Sequence, residues 1–188
     1  MILITGAAGF IGINTVLALN KKGFEDLILI DHFHKKEKNE KLNLFQYKKA
    51  LSIEEGEYFL KNNKKNKIKL VIHLGAITDT TCTDFLLLKK LNLNFSKLIW
   101  KYCTENNIKL IYASSAATYG LGENGFNDKE HEINKLKPLN LYGKSKNNFD
   151  LWVINQSFSP PSWAGLKFFN VYGPHEDDKG KMASVVHW

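Results

Sequence analysis

Tyr142 and Lys146 stand four residues apart in Tyr142-Gly143-Lys144-Ser145-Lys146, so on a helix one face carries both side chains. A phenol has an ordinary pKa near 10 and is a poor base at neutral pH. A neighbouring cation favours the phenolate, and a lysine ammonium and an oxidised nicotinamide ring are both such cations. Lowering that pKa by about three units takes about 4 kcal/mol of differential stabilisation, which two positive charges in a partly dry site can supply. Ser115, in the string Ala113-Ser114-Ser115-Ala116-Ala117-Thr118-Tyr119-Gly120, would hydrogen-bond a substrate hydroxyl or carbonyl and orient it. Ser, Tyr and Lys in this order describe proton transfer at a substrate oxygen, coupled to a hydride carrier.

The carrier has its own signal near the start of the chain. Thr5-Gly6-Ala7-Ala8-Gly9-Phe10-Ile11-Gly12 follows an apolar run and opens a helical pattern. Gly6, Gly9 and Gly12 allow a tight turn and a close approach of backbone N–H groups to a pyrophosphate, which the helix N-terminus also favours. Asp31 ends the next apolar run about twenty residues later, where an acid receives ribose hydroxyls. An acid alone favours NAD. His32, Lys35, Lys36 and Lys38 follow it, and these could instead hold a 2′-phosphate and favour NADP, or form a solvated charge run. Gly75, after a third run, lets the backbone pass close to the cofactor. His73 lies beside it without partners that suggest a metal, and reads as a packed histidine.

These residues need elements to position them. Met1–Thr5, Leu27–Asp31, Leu70–Leu74, Leu110–Ala113 and Gly165–Phe169 are short continuous apolar runs, as expected of parallel strands covered by helices on both faces. Helical patterns at Phe10–Lys22, Ile53–Asn62, Leu86–Asn106 and Tyr142–Gln156 alternate with them. The fold class is therefore α/β, a Rossmann-type doubly wound parallel sheet. Residues 34–67 predict a Lys- and Asn-rich surface excursion with an edge strand around 44–47. Residues 120–138 predict a long polar loop. Ser159-Pro160-Pro161-Ser162 marks a turn before the fifth strand. We expect residues 1–171 to form the dinucleotide-binding domain with the Ser/Tyr/Lys site. Residues 172–188 would begin a substrate-binding portion whose remainder is absent, since Met182–Trp188 reads as the start of a helix.

Composition narrows the partners. The 188 residues are 44% hydrophobic and 24% charged, ordinary for a globular protein. The net charge is +7, yet all 26 Lys+Arg residues are lysine. Base-reading arginine forks are absent and the lysines are scattered, so no nucleic-acid partner is expected. No apolar run approaches the roughly 20 residues of a membrane helix. The N-terminus lacks a basic region and a cleavage site, so a cytoplasmic location is expected. Cys82 and Cys103 form no Cys-x-x-Cys pattern and read as two lone thiols.

Together, the glycine pattern, Ser115 and Tyr142-x-x-x-Lys146 resemble the extended short-chain dehydrogenase/reductase family. Ala113–Gly120, Lys137-Pro138-Leu139-Asn140-Leu141-Tyr142-Gly143, Phe169-Asn170-Val171-Tyr172-Gly173-Pro174 and Lys179-Gly180-Lys181-Met182-Ala183-Ser184 resemble, within it, the ADP-L-glycero-D-manno-heptose 6-epimerases. The resemblance covers essentially the whole chain and is weakest in residues 34–67. It implies a tightly held NADP, with NAD as the alternative, and an ADP-heptose substrate inverted at C6 for lipopolysaccharide core precursors. It implies a homo-oligomer in the full-length form. It makes Tyr142 and Lys179 the two acid/base groups, has Lys146 position the nicotinamide ribose, and puts Ser115, Asn170 and Lys181 at the substrate. Phe10, Ile11, Asp31, His32, Lys38, Leu74, Gly75, Ala76, Ile77, Asn92 and Val171 would touch the cofactor. The chain departs from the family pattern at His32, His175, Lys181 and Trp188. A UDP-hexose 4-epimerase would share Tyr142 and Lys146 without needing Lys179. A sugar 4,6-dehydratase would want acids where Ala116 and Ala117 stand. A truncated, inactive dinucleotide binder is the reading from another class.

Overall fold

The computed structural model describes residues 1–63 and 67–176. Six parallel strands form one sheet. They are β1 (Ile2–Thr5), β2 (Leu27–Ile30), β3 (Lys49–Leu51), β4 (Leu70–His73), β5 (Lys109–Ser115) and β6 (Trp163–Phe168), in the order β3-β2-β1-β4-β5-β6. This is the doubly wound dinucleotide-binding topology, with its switch point between β1 and β4. Ile2 pairs with Leu27 on one side and Leu70 on the other, and Thr5 with Ile30 and His73.

The apolar runs alternate between two cores, because successive strand side chains point to opposite faces. Leu3, Ile28, Ile30, Val71 and Leu110 pack with Phe95, Ile99, Trp100, Phe149 and Val153. Ile4, Leu27 and Leu29 pack on the other face with Ala7, Ala8, Ile13, Val16, Phe33 and Phe45. The second core rests on α1 (Phe10–Lys21), the first on α5 (Phe95–Glu105) and α6 (Leu141–Ile154).

Two expectations change. The edge strand predicted around 44–47 lies later, at β3. Phe45 is buried in a core and cannot alternate along an edge, and Lys48 N–H opens the pairing by donating to the Leu27 carbonyl. The excursion before it is more ordered than predicted, holding α2 (Lys36–Glu40) and a 3₁₀ turn at Lys41–Leu44, while α3 (Ile53–Asn62) follows with the bounds expected. Ser52 and Glu55 cap α3 reciprocally, which satisfies two orphan N–H groups of its first turn.

The long helix predicted over 86–106 is a composite of α4 (Phe85–Leu88), a π-turn at Lys89–Asn94 and α5. Such a turn inserts one extra residue into the helix and frequently marks a functional position. The polar loop 120–138 folds back on itself. A 3₁₀ turn at Glu130–Lys135 buries Ile133, and Gly120, at φ +62°, passes so close to the Lys137 carbonyl that a Cβ there would lie 2.0 Å from its oxygen.

Candidate active site

At the switch point two loops pass back to back. Gly6 has φ +70°, and a Cβ on it would stand 2.6 Å from the Gly75 nitrogen. A Cβ on Gly12 would stand 2.0 Å from the Gly6 carbonyl oxygen. Gly6 and Gly75 therefore meet through backbone alone, and Gly12 lets α1 seat on the loop. Gly9 is the N-cap residue of α1, with no side-chain cap and no acid in the first turn. A helix start without its own capping side chain suits an anionic group. These residues fit the pyrophosphate of a dinucleotide.

Asp31 is buried at the end of β2, and its carboxylate is fully engaged. Ala8 N–H donates to Oδ2 at 2.9 Å, His32 N–H donates to Oδ1 at 2.7 Å, and the Lys38 ammonium pairs with Oδ1. Lys38 thus leaves the lysine run and turns inward, whereas Lys36 stays in solvent beside Glu40. Lys41, which sequence reasoning did not single out, reaches the Ala8 carbonyl at 3.4 Å, and burial with the nearby Lys38 pulls its pKa down. The His32 Nδ1 is buried with no hydrogen-bond partner. Burial is also the main cause that lowers its imidazole. A paired acid, a ring nitrogen without a hydrogen bond and two lysines meet here, a set that fits the ribose edge of a dinucleotide.

Ser115 ends β5, and its Oγ accepts the Ala117 N–H at 3.1 Å, opening a 3₁₀ turn at Ala116–Tyr119. Asn140 caps α6 by accepting the Gly143 N–H at 2.7 Å. Tyr142 follows directly, buried, with its phenol interacting with Ser115. The sequence pattern suggested a lowered phenol pKa. In the protein alone burial raises it, opposed by the Ser115 hydrogen bond. Lys146 does not reverse this, because its ammonium donates to the Ala113 carbonyl at 2.9 Å. Burial pulls Lys146 down to about 8, and Asp150 opposes that.

Sequence reasoning missed Asp150. It lies four residues beyond Lys146, so Tyr142, Lys146 and Asp150 share one stripe of α6, and that repeated spacing was the available signal. Its carboxylate accepts from the Tyr112 hydroxyl at 3.1 Å, the Ser114 hydroxyl at 2.6 Å and the Lys167 ammonium at 2.8 Å. Lys167, from β6, also donates to Thr118 Oγ at 2.8 Å, and Thr118 donates to the Ser115 carbonyl at 2.7 Å. A buried ion pair therefore braces the turn that presents Ser115.

His73 is packed as expected, between Thr5 and Ser96. Asn92 is fully buried in the π-turn and bonds the Ile77 backbone in both directions, at 2.8 and 2.9 Å. Leu74, Gly75, Ala76 and Ile77 follow β4 and are half-buried, Val171 lines a groove with Phe10 and Ile11, and Asn170 is exposed just after β6. Lys179 and Lys181 lie outside the described residues, as does Trp188. Cys103 is buried, which pushes its thiol up to about 12, and Cys82 is half-buried; neither is in a disulfide. Among the described residues no helix is long and apolar enough to cross a membrane.

The family described as "NAD dependent epimerase/dehydratase family" matches residues 2–188. An ADP-L-glycero-D-manno-heptose-6-epimerase of Fusobacterium nucleatum is 45% identical over 189 residues, which are 99% of this chain and 57% of that protein. The Helicobacter pylori ADP-L-glycero-D-manno-heptose-6-epimerase crystal structure is similar at TM-score 0.80 and 30% identity, covering 98% of this chain and 60% of that one. The Bacillus cereus UDP-glucuronic acid 4-epimerase, in complex with NAD, is similar at TM-score 0.68 and 27% identity over 92% of this chain and 57% of that one. The chain thus spans less than two thirds of the length of each of these relatives.

Proposed function

The chain belongs to the NAD dependent epimerase/dehydratase family, and from that membership we propose that it serves the inversion of C6 in ADP-glycero-manno-heptose by transient oxidation and reduction. The observation that carries this reading is the meeting of Ser115 and Tyr142, with Lys146 one turn along, at the carboxyl end of β5, the same end of the parallel sheet from which the Gly6–Gly12 loop leaves β1. The choice of sugar rests on the 45% identical relative. A cytoplasmic place in lipopolysaccharide core precursor synthesis, and a homo-oligomer, accompany it as parts of the same reading. Residues 1–171 act as the dinucleotide-binding domain, supported by the six strands lying within them, and residues from 172 onward begin the substrate-binding portion.

A nicotinamide dinucleotide, when bound, supplies the hydride acceptor and donor and a positive ring that favours the Tyr142 phenolate. Ser115 holds the substrate oxygen by a hydrogen bond. Tyr142 would take the hydroxyl proton as C6 gives up its hydride, and when the hydride returns to the opposite face of the transient carbonyl the proton would come from Lys179. Lys146 positions the ribose. Lys179 serves as the acid/base group for the opposite face, and Asn170 and Lys181 contact the sugar. We assign NADP rather than NAD, because Lys38 already neutralises Asp31, and His32 and Lys41 add polar and cationic atoms beside it.

The deciding experiment releases the dinucleotide from natively purified protein by denaturation and identifies it. NADP supports the assignment, and NAD overturns it. Turnover of ADP-heptose then tests the substrate. Tyr142→Phe is expected to abolish it while dinucleotide binding persists, and equal activity in that variant would remove Tyr142 from the mechanism. The likeness to a UDP-glucuronic acid 4-epimerase keeps a UDP-hexose 4-epimerase as the second reading. Turnover of UDP-galactose without ADP-heptose would select it.

A further inference from the structure

His73 sits at the switch point, completely enclosed, and each of its two ring nitrogens has one partner. Nε2 lies 2.8 Å from Ser96 Oγ, and that hydroxyl spends its proton on the Asn92 carbonyl at 2.7 Å. Ser96 Oγ can therefore only accept from the ring, so the proton is on Nε2. Nδ1 is then an acceptor, and the Thr5 hydroxyl at 2.6 Å donates to it. Thr5 Oγ in turn accepts the Gly75 N–H at 3.1 Å. A single directed run joins the Gly75 backbone to the π-turn through Thr5, His73 and Ser96.

A second run starts at the side chain of the residue where the first one ends. Asn92 has one amide oxygen and two amide protons. The oxygen takes the Ile77 N–H, one proton goes to the Ile77 carbonyl and the other to Ser145 Oγ at 3.0 Å. Ser145 passes its own proton to the Tyr142 carbonyl at 2.7 Å. Each of these groups is satisfied only if the extra residue of the π-turn places Asn92 here, and Ser96 holds that turn from inside. Burial, with the nearby Lys146 charge, pulls the imidazole down to about 3, so the directed run persists at neutral pH.

We propose that His73 is a positioning residue that locks the backbone around Gly75 to the π-turn and, through Asn92 and Ser145, sets the seating of the helix that carries Tyr142 and Lys146. The assignment rests on the reading of Tyr142 and Lys146 as the reactive pair only for its consequence in catalysis. The lock itself concerns backbone and helix. It makes the crevice and the reactive helix a single mechanical unit.

The experiment compares two amide replacements in the 188-residue chain. Gln carries its amide near the place of Nε2, and Asn near the place of Nδ1. His73→Gln keeps a donor toward Ser96, while His73→Asn keeps an acceptor toward Thr5 and loses the link to the π-turn. Amide hydrogen exchange is read at Ile77, whose N–H is held by Asn92. His73→Asn is expected to exchange Ile77 about tenfold faster, the scale of one net hydrogen bond, with the amides of β2 unchanged, and His73→Gln is expected to restore protection. If His73→Asn fails to fold, Ser96→Ala severs the same link from its other end and is expected to give the same local loss. Imidazole ¹⁵N spectra of the unmodified chain are expected to show the Nε2–H form alone. An Nδ1–H form, or equal Ile77 exchange in both His73 variants, overturns the lock. Failure of Tyr142→Phe to affect turnover overturns the functional reading instead and leaves the Ile77 result untouched.

Discussion

Lys146 and Asp150 show how one helix face can tune a proton. Burial strips water from the Lys146 ammonium and disfavours its charge, while the Asp150 carboxylate four residues on restores part of it. Its pKa near 8 means the lysine is charged below that pH and loses its proton above it. Nearby His73 stays neutral at such pH, and burial keeps the Tyr142 phenol protonated there in the protein alone. Asp150→Asn removes the opposing charge, so the Lys146 pKa falls further. The alkaline limb of turnover, or of dinucleotide affinity, is expected to move from about 8 to lower pH, and a pH profile of each variant checks it. An unchanged limb would separate Asp150 from Lys146. At the crevice, Gly12→Ala would press a methyl into the Gly6 carbonyl, 2.0 Å away. Overpacking of this kind costs about 1–3 kcal/mol, and because the obstacle is loop backbone, dinucleotide binding is expected to fall with stability in a melting and titration series.

Among the elements, β6 and α6 are joined by charge as well as by packing. Lys167 and Asp150 are both nearly excluded from solvent, their side chains 12% and 3% exposed. Lys167→Met would leave Asp150 without its cation, a loss of about 3–5 kcal/mol for a buried pair broken on one side. Denaturant melts check that figure, and Lys167→Met combined with Asp150→Asn is expected to recover part of it. The elements themselves were largely legible in the sequence. The five strands predicted there appear within two residues of their expected ends, because a helix-covered parallel strand leaves a short unbroken apolar run. The glycine spacing and Ser115-Tyr142-Lys146 were legible because local backbone demands and helix periodicity are written in neighbouring residues. The π-turn was not, since Asn92 reads as one polar residue in an amphipathic helix until its partners Ile77 and Ser145 are brought to it by the fold. Lys167 was hidden for the same reason, and Asp150 showed only its spacing on the stripe of Tyr142 and Lys146. Each looks like a surface charge alone, and only the β5–β6 pairing places Lys167 beside α6.

For the molecule as a whole, the buried neutral histidine makes stability depend on acidity. The folded His73 takes a proton only near pH 3, whereas an unfolded one does so near its ordinary 6.5. Above about pH 6.5 neither form is charged and the residue adds no pH dependence. Below it the unfolded chain binds the proton that the folded one refuses, so stability falls by about 1.4 kcal/mol per pH unit down to about pH 3. Melting curves across that window are expected to lose this slope in His73→Gln. Dinucleotide binding acts in the opposite direction. At a hundred times its Kd, it is expected to add about 2.7 kcal/mol, seen as a raised melting temperature.

The pairing of β1 with β4 also governs time. β1 and β2 close through one helix, but Ile2 meets Leu70 only after α1, β2, α2, β3 and α3 have been gathered between them. Closing so long a loop is slow relative to forming local contacts. The Gly6–Gly75 contact and the Thr5–His73 bond straddle that late seam. During refolding, the stacking of Trp152 on Phe149 within α6 is therefore expected to run ahead of the ability to capture a dinucleotide, and the delay between the two signals is the time the chain takes to zip its two halves together.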